Sequence, residues 1–171
     1  MGFFRKMFGM DDTAQATFAP APFQPVAPST INYDPKLLES LRADHARLGA
    51  MFQRIGMLGK SGEYAEVRSL LAHFKSSLQA HILTENVRFY TYLEKSLAGD
   101  AENARTIHEF RRDMNTIARG VVNFVKTWQT SDFATPAERH QFEADYAKVG
   151  ELLEQRLDSE ENSLYPLYQP Y

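Results

Sequence analysis

The chain has 171 residues, 43% of them apolar and 24% charged, with a formal net charge of −3. That balance is the balance of one globular domain with a real core, and it excludes both a strongly basic nucleic-acid binder and an acidic disordered chain. There is no cysteine, which removes disulfide scaffolds, thiol catalysis, zinc fingers and iron–sulfur clusters and suits a reducing cytoplasm, the compartment expected here.

In chain order, residues 1–10 hold Phe3, Phe4, Met7 and Phe8 beside Arg5 and Lys6. They lack an apolar h-region and a cleavage site, so no secretory signal is expected, and Lys6 stands where myristoylation needs Ser or Thr. A frayed terminus is the plainer reading, and a short peptide docking on a membrane surface or a partner is the other. Residues 11–30 carry Pro20, Pro22, Pro25 and Pro28 among Ala, Thr, Gln and Ser. Proline fixes φ and has no amide hydrogen, so this stretch favours extended, solvated backbone. Residues 1–30 are therefore expected to be a disordered peptide and linker, and residues 31–171 the folded domain. No run of about 18 apolar residues exists, so no membrane span is expected.

From Tyr33 onward the pattern is helical. Asp34 and Pro35 offer an N-cap and a first-turn proline, and Leu38, Leu41, His45, Leu48, Phe52 and Ile55 recur at steps of three and four. A turn at 59–62 follows. The second stripe is Leu71, Phe74, Leu78, His81, Glu85, Phe89 and Tyr92. Gly99 and Asp100 stop that helix and cap a third, with Ile107, Phe110, Met114, Ile117, Val121, Phe124 and Trp128 on one face. After 131–134, Thr135, Pro136 and Glu138 spell a capping box, and the last stripe is Phe142, Tyr146, Val149, Leu153, Arg156, Glu160 and Leu164. Pro166 is expected to end it. Long amphipathic helices joined by short turns must run antiparallel, so the sequence predicts an all-α, up-down-up-down four-helix bundle.

Five polar residues break the apolar stripes: His45, His81, Glu85, Arg156 and Glu160. Burying a charge without a partner costs several kcal/mol or more, so these groups must face one another or a ligand. At about 1.5 Å of rise per residue, His81, Glu85, His108, Arg112 and Arg156 fall within about two turns of each other, with His45 about a turn further. His108 follows the stripe residue Ile107 and Arg112 lies one turn on, so both are expected to reach the axis. An offset of 75 residues, the spacing of Glu85 and Glu160, lays the second helix on the fourth. Phe74 meets Val149, Leu78 meets Leu153, His81 meets Arg156 and Tyr90 meets Tyr165. Helices that place His and Glu four apart on one inner face are a recurring way to build a carboxylate-bridged metal centre.

On Asp44-His45, His81-Ile-Leu-Thr-Glu85, His108 and Glu160-Glu-Asn-Ser-Leu-Tyr-Pro166, residues 34–168 resemble the hemerythrin-like, or histidine–histidine–glutamate cation-binding, proteins. The resemblance implies a non-haem iron bundle used for oxygen binding, oxygen or iron sensing, or handling nitric oxide, with a diatomic ligand at the metal. In that family helices two and four each give a histidine and a bridging carboxylate, helix one a histidine, and helix three one or two. Here Arg156 and Arg112 stand where two histidines of one iron belong. The resemblance therefore implies one divalent metal, iron or another, held by His45, His81, Glu85 and Glu160, with His108 completing the shell or hydrogen-bonding within it. Guanidinium stays protonated and cannot ligate, but it can replace a cation's charge beside glutamates, so Arg112 and Arg156 are expected to pair with them. Arginines alone, without metal, is the other outcome.

A second resemblance is to the bacterial regulators of sigma D, metal-free helical bundles that act by binding a sigma factor. It rests on Phe74-Lys-Ser-Ser-Leu78 leading to Phe89-Tyr90, and on Gly150 to Arg156 leading to Glu160. Arg156 fits that pattern better, and His81 and Glu85 fit it worse. It keeps a metal-free regulatory interaction protein open as the alternative function.

His73 and His140 read as solvated or locally hydrogen-bonded, Glu161 as one step off the inner face, Trp128 as core, and Tyr165, Tyr168 and Tyr171 as a cover over the open end of the bundle. No nucleophile–base pair or phosphate-cradling glycine loop is present, so no enzyme is expected.

Overall fold

The computed structural model of the chain describes residues 31–170. The readings made for residues 1–30 and for Tyr171 lie outside the described residues. Ile31–Tyr171 is one compact unit.

Helix α1 spans Leu37–Ser61 and buries Leu37, Leu41, His45, Leu48, Phe52 and Ile55. Its start corrects the expectation for Pro35. The Asp34 side chain accepts from the Lys36 amide at 2.9 Å and its carbonyl from the Leu37 amide at 3.1 Å. Pro35 and Lys36 thus form a turn just before the helix. At the far end Gly62 takes a left-handed φ of 78°. Its amide donates to the Gly59 carbonyl at 3.2 Å and the Glu63 amide to Leu58 at 2.9 Å, a pairing that satisfies the last carbonyls and needs a residue free of a Cβ.

The second rod is α2 (Tyr64–Thr84), a π-helical turn over Glu85–Tyr90, and α3 (Thr91–Ser96). Asp100 caps α4 (Ala101–Gln129) by accepting from the Glu102 and Asn103 amides. The capping box of Thr135 and Glu138, with Pro136 in the first turn, starts α5 (Pro136–Ser159) as the sequence predicts. A second π-helical turn, Glu160–Leu164, continues α5 into a 3-10 turn, Tyr165–Leu167. Pro166 therefore sits inside the last turn rather than ending the α-helix. Both π turns open on a glutamate of the internal repeat, Glu85 and Glu160, and no 3.6-residue periodicity announces them. Such one-turn insertions concentrate at functional sites.

Short connections make the four rods antiparallel, with α1 on α2, α2 on α4, α4 on α5 and α5 back on α1. The expected four-helix bundle is thus the observed fold, and the described residues contain no strand. At one end Tyr165 and Tyr168 fold inward, as expected of a cover, and Tyr168 packs on Phe89, Tyr92 and Tyr33. At the other end the buried Phe133 stacks on Tyr64 and Trp128 and meets Phe142 edge-on. Its backbone φ of 54° is unusual for a bulky residue, and packing on every side holds it there. Gly56 lets α1 approach α5: a Cβ there would lie 2.5 Å from the Tyr146 hydroxyl, which donates to the Phe52 carbonyl at 3.0 Å.

Candidate metal centre

Five polar side chains are buried in the apolar core: His45, His81, Glu85, Arg156 and Glu160, each 4% exposed or less. They come from α1, α2, α5 and the two π turns. Periodicity brings them inward, since each occupies a stripe position that would otherwise carry an aliphatic residue.

Four of them converge. One ligand atom from each of His45, His81, Glu85 and Glu160 lies within 4.8 Å of all the others. His45 Nε2 is 3.2 Å from Glu160 Oε2, and His81 Nε2 is 3.5 Å from Glu85 Oε2. The two imidazoles meet edge to face with ring centroids 4.8 Å apart. Tyr165 stacks over His45 at 5.8 Å, with its hydroxyl 3.4 Å from Nε2.

Arg156 lies between the two glutamates. Its Nη2 pairs with Glu85 Oε2 and stands 2.7 Å from Glu160 Oε1, while Nη1 donates to the Met114 carbonyl at 3.4 Å. This pairing with Glu85 and Glu160 follows the expectation for Arg156. A guanidinium spreads its charge over a planar fork and so can hold two carboxylates that would repel each other if left alone.

Two further carboxylates, given no role from the sequence, stand outside the cluster. Glu161 Oε1 accepts from His45 Nδ1 at 2.8 Å, and Asp44 Oδ2 is 3.5 Å from His81 Nδ1. Each imidazole thus has one nitrogen facing an outer carboxylate and one facing the cluster. Metal-bound histidines usually carry such an outer partner, which fixes the tautomer and aims the other nitrogen. Glu161 is one step off the stripe, as read, yet its side chain reaches back to His45. The available signals were its adjacency to Glu160 and that of Asp44 to His45.

His108 and Arg112 are corrections. Both are exposed, and Arg112, 71% exposed, faces Asp113 rather than a glutamate of the cluster. The inward face of α4 is Ile107, Met114, Ile117 and Val121. His108 is one residue past Ile107, about 100° round the helix, and Arg112 is two from both Phe110 and Met114, about 200° round, so both face solvent. His108 therefore cannot complete the shell. His73, bonded to the Ser69 carbonyl at 3.0 Å, and His140 are exposed surface residues, as read. Trp128 is core, its Nε1 donating to Asp145 Oδ2 at 3.2 Å.

The electrostatics fit a cation. Both His81 nitrogens, Glu85 Oε1 and both Glu160 oxygens are buried without a hydrogen bond. Buried polar atoms normally find partners, and two imidazoles with two carboxylates are a suitable donor set for iron, manganese or zinc. Burial, aided by the nearby His45 and Arg156 charges, lowers the His81 pKa to about 4, which leaves a neutral imidazole ready to donate a lone pair. Burial and the Glu160 charge raise that of Glu85 to about 8 against the pull of Arg156. Burial also opposes charge on His45, but the adjacent Glu160 and Glu161 carboxylates outweigh it and raise its pKa above 6.5. The cluster thus holds protons where a cation would displace them.

The family model of the hemerythrin HHE cation binding domain matches residues 36–168. No curated protein and no solved structure gives a match.

Proposed function

The chain belongs to the hemerythrin HHE cation-binding family, and on that premise we propose that it holds one divalent metal, non-haem iron in the first instance, as a sensor or binding protein rather than an enzyme. The observation that carries this reading is the convergence of His45, His81, Glu85 and Glu160, with buried atoms of His81, Glu85 and Glu160 left without hydrogen bonds. His45 would bind through Nε2, its ring held by Glu161, and His81 through the nitrogen opposite the one that faces Asp44. Glu85 and Glu160 would supply the anionic donors. Arg156 neutralises the second cation position, because it already pairs with both carboxylates. When bound, iron would supply an open position for a diatomic molecule. The Tyr165 ring, stacked on His45, would cover one side of that position.

Among the described residues no helix is long and apolar enough to cross a membrane. The absence of cysteine suits a reducing, cytoplasmic setting for this role. Purified protein should retain metal, and His81→Ala or Glu85→Ala should lose it while the helical content persists. Retention of the metal by both variants would refute the assignment.

A metal-free regulator that binds a protein partner is the second reading. It is favoured by one observation, that Arg156 forms ion pairs with both Glu85 and Glu160 in the folded chain. On that reading His81→Ala would leave partner binding unchanged, and charge-to-alanine changes on exposed faces would abolish it.

A further inference from the structure

A cavity of about 450 Å³ opens between α1 and α5 and ends at the polar cluster. Leu48, Phe52, Phe74, Leu78, Leu153 and Leu157 wall it, His45, His81 and Arg156 form its floor, and Gly49, Gln53, Ala147, Glu151 and Glu154 its mouth. We propose that this cavity binds a small uncharged amphiphile, an apolar chain or ring ending in one hydroxyl or carbonyl, with the polar end against His81.

Size gives the first reason. One water in the liquid occupies about 30 Å³, so this space is far larger than a diatomic molecule needs. It falls within the about 300–1,000 Å³ range of small-molecule sites, which are mostly apolar with a few placed polar groups. The second reason is the floor. His81 is 2% exposed, and neither ring nitrogen makes a hydrogen bond. An imidazole ring nitrogen can bond a hydroxyl as donor or as acceptor, and a carbonyl as donor only.

Charge selects the class. Arg156 is already held by Glu85 and Glu160, and His45 by Glu160 and Glu161. No spare cation remains for an anionic head, which would also pass the exposed Glu151 and Glu154 at the mouth. A cationic head would meet the Arg156 guanidinium on the floor. A charge buried there without a partner is costly, whereas a hydroxyl is not. The inference does not rest on the metal reading: the walls and the mouth belong to no proposed ligand set, and only His45 and His81 are shared.

The test uses the full chain, metal-free and metal-loaded, titrated calorimetrically with octan-1-ol, octanoate and octylammonium. Octan-1-ol should bind saturably at one per chain in the metal-free form, more weakly in the metal-loaded form where His81 is taken, and each charged analogue should be at least about tenfold weaker than octan-1-ol in the metal-free form. A Cβ added at Gly49 meets nothing within 4 Å, so Gly49→Phe should fold, keep its metal content and weaken octan-1-ol at least about tenfold by filling the mouth. Ala147→Phe provides the same block from α5. Failure of octan-1-ol to saturate the native chain, equal binding by both variants, or tighter binding of a charged analogue would each overturn the proposal. Loss of metal binding with octan-1-ol binding intact would overturn only the metal reading.

Discussion

His45 and Glu161, 116 residues apart in sequence, meet with Nδ1 2.8 Å from Oε1. The contact points the opposite ring nitrogen at Glu160, 3.2 Å away. His81 is arranged in the same sense, with Asp44 on its outer side and Glu85 on its inner side. The outer carboxylates are crossed relative to the sequence. Asp44 neighbours His45 but serves His81, and Glu161 neighbours Glu160 but serves His45. The His45 imidazole is therefore held by a hydrogen bond before any metal arrives, while His81 has a carboxylate 3.5 Å from each ring nitrogen.

Removing an outer carboxylate should cost affinity and little stability. Glu161→Gln and Asp44→Asn are each expected to weaken metal binding by about 10–100-fold. Competition against a chromophoric chelator measures the affinity, and urea unfolding of the metal-free protein checks that the fold is intact. Unchanged affinity in both variants would remove these residues from the site.

Arg156 should behave as a fixed cation. Arg156→Leu leaves Glu85 and Glu160 facing each other in the core, so the metal-free protein should lose about 3–5 kcal/mol in urea unfolding. Added divalent metal should recover part of that loss. Arg156→His should instead raise metal capacity above one per chain, because an imidazole can donate where a guanidinium cannot.

Stability of the metal-free chain should fall between about pH 6.5 and pH 8.5. His45 has its pKa raised above 6.5, so its contribution is full below 6.5 and lost as pH rises through the folded value. Glu85, raised from 4.5 to about 8, acts in the same sense and loses its contribution as pH climbs through about 8. His81, lowered from 6.5 to about 4, is opposite: its contribution is present above 6.5 and lost as pH falls through about 4. Metal displaces the protons on His45 and Glu85, so the stabilisation it adds should grow over the window in which the metal-free chain weakens. Thermal denaturation with and without metal across that range measures both slopes, and parallel curves would contradict the proton linkage.

The domain division is tested by truncation. A chain beginning at Ile31 should keep a single cooperative thermal transition and the full metal content, since Ile31–Tyr171 carries the whole cluster in one compact unit. Loss of cooperativity would give residues 1–30 a structural part.

The bundle was legible because four stripes of apolar residues with caps at Asp100 and Thr135 admit one arrangement. His45, His81, Glu85, Arg156 and Glu160 were legible for the same reason, since a charged residue on an apolar stripe has to be buried. His108 and Arg112 misled because neither is on the stripe: His108 is one residue past Ile107, about 100° round the helix, and Arg112 is two from Phe110 and Met114, about 200° round. Glu161 and Asp44 were missed for the converse reason. They start off the inner face, and their reach depends on how α1, α2 and the last π turn approach, which no local pattern encodes. The π turns were also hidden, although the 75-residue repeat aligned their first residues, Glu85 and Glu160. Periodicity reports which face a residue takes and not where an extra residue widens a turn.

The stoichiometry of the cluster is the central claim, and elemental analysis measures it directly. After anaerobic reconstitution with ferrous iron and removal of unbound metal, the full chain should hold one iron, lost in His81→Ala. Two irons per chain would show that Arg156 does not displace a second cation, and none would show that the arginine and the two glutamates satisfy one another without metal.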